Sequence, residues 1–121
     1  MEKKFLTDLK VGDTIYRLDD QKVTENGVEE FTADGVAVIN GFLVVKCGGK
    51  TVIASPISTL DECDTLQDYD EDDNCVYYGT SRESVVRDFN RRIDRDIDFY
   101  ETEINRIKDD IEKLKSQKLS L

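Results

Sequence analysis

VRDFNRRIDRDIDFYETEINRIKDDIEKL, residues 86–114, repeats apolar side chains every three or four positions without a proline or glycine. With Ile97, Ile104 and Ile111 at a positions, Ile93, Tyr100, Ile107 and Leu114 fall at d, the 3.5-residue repeat of a coiled-coil seam. A helix over 81–118 would reach about 57 Å, beyond any core that the preceding residues could build, so its end must project or meet a partner. Paired in parallel with a second copy, Glu103 faces Lys108 and Asp110 faces Lys115, with Asp96 against Glu101 repulsive. Paired antiparallel, Asp96, Glu103 and Asp110 confront acids, so a parallel dimer is expected. The interface residues are then Ile97, Tyr100, Ile104, Ile107, Ile111 and Leu114. Asn90 at an a position and Phe89 beside the seam widen the apolar face of the first turns, which are expected to dock on the chain's own domain or bind something anionic.

Thr80 followed by Glu83 has the spacing of a capping box and predicts the start of this helix. Arg92 with Asp96, Arg106 with Asp110 and Asp109 with Lys113 are spaced to support its exposed faces. No stretch approaches the roughly 18 apolar residues of a membrane span, and Met1-Glu2-Lys3-Lys4 runs into Phe5-Leu6 and Asp8 without a signal-peptide core. With 38% hydrophobic and 36% charged residues, the chain has a cytoplasmic profile with no membrane partner. Cys47, Cys63 and Cys75 form no C-x-x-C pair and are expected as reduced thiols. With no His to join them, they make no zinc shell, and no metal or cofactor is expected.

Upstream, short β-prone runs alternate with turn dipeptides: Thr14–Leu18, Lys22–Glu25, Val28–Ala33, Val36–Ile39, Phe42–Lys46 and Thr51–Ala54. Asn26-Gly27, Asp34-Gly35 and Asn40-Gly41 suit tight hairpins, and Gly48-Gly49 a slightly longer loop. Pro56 follows the last run, where a missing donor does no harm. The expected fold class is α+β: a small antiparallel, barrel-like meander over 1–60, an acidic connector over 61–79 ending in a short strand, and a long C-terminal helix over 80–121, oligomerising from about residue 97.

Lys10-Val11-Gly12-Asp13-Thr14-Ile15-Tyr16 resembles the first strand of small Src-homology-type or Tudor-type barrels. Val76-Tyr77-Tyr78-Gly79-Thr80-Ser81-Arg82-Glu83, a strand entering a capped helix, is similar to the end of many short bacteriophage proteins that join such a barrel to a helix. The resemblance implies an architecture and a mobile-element origin, and assigns no site residue. The chain has no Trp, which sets it apart from the grooves with which Src-homology barrels bind proline-rich peptides.

The net charge of −10 is concentrated between residues 61 and 79, where Asp61, Glu62, Asp64, Asp68, Asp70, Glu71, Asp72 and Asp73 occur without a Lys or Arg. Such a run reads as an extended, hydrated connector. Asp68, Asp70 and Asp72 match the first ligands of a calcium loop, but Asp73 stands where that loop needs Gly and Gly79 where it needs Glu. A decoy for a phosphate-binding groove is a third reading. Arg87, Arg91 and Arg95 lie at i, i+4 and i+8 near the helix start. They are expected to pair with acids of the connector or a neighbouring chain. Their functional reading is a grip on a phosphorylated small molecule or nucleotide, with Tyr77, Tyr78 or Phe89 available for stacking. Gly48-Gly49-Lys50 lacks the spacing of a phosphate loop.

Without His, any Ser, Thr or Cys nucleophile lacks its commonest activator, and clustered exposed acids are a poor general acid and base pair, so no enzyme and no catalytic residue is expected. A pI near 4.4 disfavours direct binding to duplex nucleic acid. The sequence thus points to a homo-oligomeric interaction protein, a phage accessory or anti-defence protein binding a host protein. The alternative is a protein that sequesters a nucleotide signal through the helix arginines.

Overall fold

The computed structural model describes residues 4–22, 27–70 and 72–119. They form seven strands and one long helix: β1 (Thr14–Asp19), β2 (Val28–Thr32), β3 (Gly35–Ile39), β4 (Phe42–Cys47), β5 (Lys50–Pro56), β6 (Thr65–Tyr69), β7 (Cys75–Gly79) and α1 (Arg82–Gln117). The α+β class is as expected. The chain divides into two compact units, Met1–Phe89 and Asn90–Leu121. Among the described residues no helix is long and apolar enough to cross a membrane.

Turn chemistry explains most strand boundaries. Asn40 and Gly41 have φ of 51° and 81°, and Gly48 and Gly49 of 60° and 77°. These left-handed pairs close two-residue hairpins whose twist matches the flanking strands. The Gly48-Gly49 loop is therefore as tight as its neighbour. Asp34-Gly35 is different, because Gly35 already belongs to β3 and the chain does not reverse there. Ala33 instead hands the chain from one sheet to another, its N–H donating to the Asp13 carbonyl at 2.9 Å while Asp34 N–H donates to the Lys46 carbonyl at 2.9 Å. The run expected at Lys22–Glu25 lies mostly outside the described residues, as does Asn26.

All ladders are antiparallel, but they form two sheets, β2-β1-β7-β6 and β3-β4-β5, rather than one closed ring. The expected simple meander holds only for β3-β4-β5. In the other sheet the first strand lies beside the last, with Leu18 opposite Tyr77 and Arg17 opposite Tyr78. The expected barrel is not closed because β6 pairs with β7 instead of continuing from β5. Strand β6 itself runs through the segment that reads as a hydrated connector. Its exposed Asp68 and Gln67 keep their side chains in water while the backbone pairs, so charge density did not prevent a strand.

Period-two alternation divides the side chains between two cores. Ile15, Ala33, Leu43, Val45 and Ile53 are buried together with Leu6, Leu9 and Leu60, and Leu66 and Tyr78 pack against them. A second core takes Leu18, Cys75 and Tyr77 with Val85, backed by Tyr16, Val28, Val86 and Phe89. The first turns of α1 are thus anchored by three apolar side chains, and the Phe89 ring meets Tyr77 edge to face at 6.4 Å. The expectation that these turns dock on the chain's own domain holds for Val85 to Phe89.

Candidate functional site

Strand β7 delivers the chain into α1 through Gly79 and a short cap. A Cβ on Gly79 would lie 2.5 Å from Ser84 Oγ and 2.7 Å from Val85 Cγ1, so only glycine lets strand and helix approach this closely. Ser84 N–H donates to Ser81 Oγ at 3.1 Å, and Ser81 N–H donates to Ser84 Oγ at 3.3 Å. This is the reciprocal logic of a capping box, one residue later than the Thr80 and Glu83 expected. Thr80 is drawn elsewhere: its hydroxyl donates to the Lys4 carbonyl at 2.7 Å.

The cap positions the first predicted ligand residue. Arg87 Nη1 and Nη2 donate to the two carboxylate oxygens of Asp64 at 3.0 and 2.7 Å, and its Nε donates to Asp88 Oδ1 at 3.1 Å. Thr65 Oγ1 donates to Asp88 Oδ2. Asp64 is buried. The hydrogen bond to Asp64 chiefly, against the opposing effect of burial, raises the Arg87 pKa above its ordinary value and fixes the charged form. The pair ties the start of α1 to the residue just before β6, so Arg87 acts here as a structural ion pair with the acidic segment.

The other predicted ligands are Tyr78, Arg91 and Arg95. Tyr78 packs with the inter-sheet core and serves Arg17, its cross-strand partner. Arg91 and Arg95 are exposed and belong to the second unit. A polar cluster that linear spacing does not show surrounds Arg17, which donates to Glu29 Oε1 at 3.1 Å and approaches Asp19 Oδ2 at 3.5 Å. Burial alone would lower the Arg17 pKa. The hydrogen bond to Tyr78 and the charges of Glu29 and Asp19 more than reverse it. Only strand register, which sets Arg17 opposite both Glu29 and Tyr78, brings these groups together.

The acidic run closes the β6–β7 hairpin. Asp70 Oδ1 accepts the N–H groups of Asp72 and Asn74, both at 2.9 Å, and Asp70 Oδ2 accepts from Asn74 Nδ2 at 3.3 Å. Asp73 sits at φ 61°. The Asn74 backbone hydrogen bond leads in holding the Asp70 carboxyl below its ordinary value. This carboxylate, second in the calcium-loop spacing, therefore organises its own turn. Glu71 lies outside the described residues.

Among the described residues, apolar side chains of both units remain in contact with solvent. In the second unit Ile97, Tyr100, Ile104, Ile107, Ile111 and Leu114 are 45–67% exposed, and Arg106 Nη2 donates to Glu103 Oε2 at 2.8 Å. Arg92 stands 3.9 Å from Asp96, the spacing expected of that pair. In the first unit a groove of about 330 Å³ is lined by Val11, by Gly35, Val36, Ala37 and Ile39 of β3, and by Val44 and Lys46 of β4. No protein-family model, curated protein or solved structure matches the chain.

Proposed function

We propose that this chain is a non-enzymatic, homo-oligomeric interaction protein: a parallel dimer joined along its second unit, with the β-rich unit presented to a partner protein. The observation that carries the reading is the row from Ile97 to Leu114, 45–67% exposed on an unbroken helix and spaced for a two-helix seam. Each half-exposed Ile or Leu that becomes buried against a second helix contributes about 1 kcal/mol. The Glu103–Lys108 and Asp110–Lys115 contacts favour the parallel arrangement.

The non-enzymatic reading rests on the lack of His in the sequence and on polar clusters whose members satisfy one another around Arg87 and Arg17. The nucleotide-sequestering alternative is weakened because Arg87 grips Asp64 at both ends of its guanidinium. The resemblance to phage proteins suggests the setting, an accessory or anti-defence role against a host protein in the cytoplasm. Light scattering coupled to size exclusion tests the assembly: at least twice the 13.9 kDa chain mass is expected, and a monomer at micromolar concentration would remove the premise.

A further inference from the structure

Four strands form sheet edges among the described residues: β2 and β6 in one sheet, β3 and β5 in the other. Three of them carry features that discourage pairing with a foreign strand. Strand β2 has Glu29 and Glu30, and β6 has Asp68. Strand β5 has Lys50 and Pro56, and its ladder shifts register opposite Val45 and Lys46. Strand β3, Gly-Val-Ala-Val-Ile over 35–39, has no charge, no proline and an unbroken ladder. Of the four edges it alone carries none of these features; Gly12 and Asp13 pair with Ala33 just before it, and the apolar groove is lined by Gly35, Val36, Ala37 and Ile39 of this strand.

The sheet face next to that edge is also unusual. An antiparallel sheet with one solvated face normally makes it polar, whereas here Ala37, Ile39 and Phe42 are exposed together and Val44 is half-buried among them. Lys46 is the single charged side chain on the groove, and no ion pair engages it among the described residues.

We propose that β3 and its groove take up an extended segment of a partner protein as an added antiparallel strand. That segment has apolar side chains at alternate positions and a carboxylate toward its C-terminal end. Residues directly opposite one another in an antiparallel pair share a face. The incoming side chains that face the groove therefore stand opposite Ile39, Ala37 and Gly35 in turn. Gly35 is the cross-strand partner of Lys46, so the last of the three positions is where an acid reaches the ammonium group. A second copy of this chain does not fit as well, because β3 paired with itself about Ala37 sets Ile39 of the second copy opposite Gly35 and leaves Lys46 without a carboxylate. The proposal deepens the interaction reading by naming the partner's chemistry, and it is independent of helix pairing.

The test uses the full chain, alongside the variant Ile104→Asp with Ile107→Asp, and an N-terminally fluorescein-labelled peptide amide, Val-Thr-Leu-Thr-Glu, followed by anisotropy. Saturable binding to both proteins is expected, weakened about fivefold or more by Lys46→Glu and regained when the peptide glutamate becomes lysine. Of two peptides N-methylated at alternate amides, the one whose methyl groups face β3 should fail to bind and the other should bind. Absence of saturation, indifference to Lys46→Glu in a variant with unchanged circular dichroism, or equal binding of both methylated peptides would each overturn the proposal. So would a dimer of the helix variant that Ala37→Lys dissolves, since the edge would then belong to a second copy.

Discussion

Val85 is wholly buried and Ile104 is 51% exposed, although both are apolar residues of one helix. Val85 has Leu18, Cys75 and Tyr77 to pack against, and the turns around it are held by the Ser81 cap and the Asp64–Arg87 pair. Ile104 belongs to the second unit, whose described residues include no buried side chain. The contrast teaches that one helical pattern can serve two separate purposes. Its beginning completes a core within the chain, and its continuation leaves its apolar side chains exposed.

The most severe break is Ile104→Asp with Ile107→Asp. Charges placed in the seam should cost more than about 4 kcal/mol of association, returning the particle to the 13.9 kDa chain mass in light scattering while the melting of the first unit stays unchanged. Gly79→Ala should do the reverse. Forcing a methyl group against Ser84 and Val85 should cost the first unit about 1–3 kcal/mol in chemical denaturation, with the oligomeric mass retained at low denaturant. Arg87→Ala, which leaves Asp64 buried without its bidentate partner, should cost about 1–2 kcal/mol after allowance for the exposed part of the guanidinium. Adding Asp64→Asn should recover part of that loss, and a double-mutant cycle measures it.

Ser81→Ala should cost about 1 kcal/mol of helix-start stability, more than Glu83→Ala, and amide exchange over residues 82–86 distinguishes the two cap positions. The smallest effect concerns acid. Asp13 accepts from Lys4 Nζ at 2.5 Å and from Lys10 N–H at 2.8 Å. The Lys4 side-chain hydrogen bond chiefly, then the Lys10 backbone bond, lower its pKa below the ordinary value, and Asp70 is lowered by its turn. A folded-state pKa below the unfolded one contributes stability that is present above the unfolded value and lost as pH falls through the folded one. Stability of the first unit should therefore decline below about pH 4, and Asp13→Asn with Asp70→Asn should flatten that decline in pH-dependent denaturation.

Much of the fold could be read from local chemistry. Asn40-Gly41 and Gly48-Gly49 demand left-handed backbone, and the apolar spacing after Ser81 suits only a helix. Strand β6 was hidden, because Asp68 and its acidic neighbours read as mutual repulsion, whereas Asp68 is exposed to water, Asp64 pairs with Arg87 and Asp70 holds its own turn, so the backbone can pair. Asp34-Gly35 misled for a related reason: a turn dipeptide permits a reversal, and tertiary pairing with Asp13 and Lys46 chose a handover between sheets. Of the candidate site, Arg87 was legible as an ion-pairing residue. The Arg17 cluster exists only through strand register, which sets Arg17 opposite both Glu29 and Tyr78 and which no short window of sequence contains.

Strand β1 rests on β7, the last strand of the sheet. A nascent chain emerging from the ribosome therefore holds its first strand without one of its two neighbours until Cys75 to Gly79 have been made. The three-stranded sheet, built from consecutive hairpins, needs only short loops to close. Assembly is thus sequential in one half of the unit and deferred in the other, and the Val85 turn of α1 gains its platform only when that deferred strand arrives.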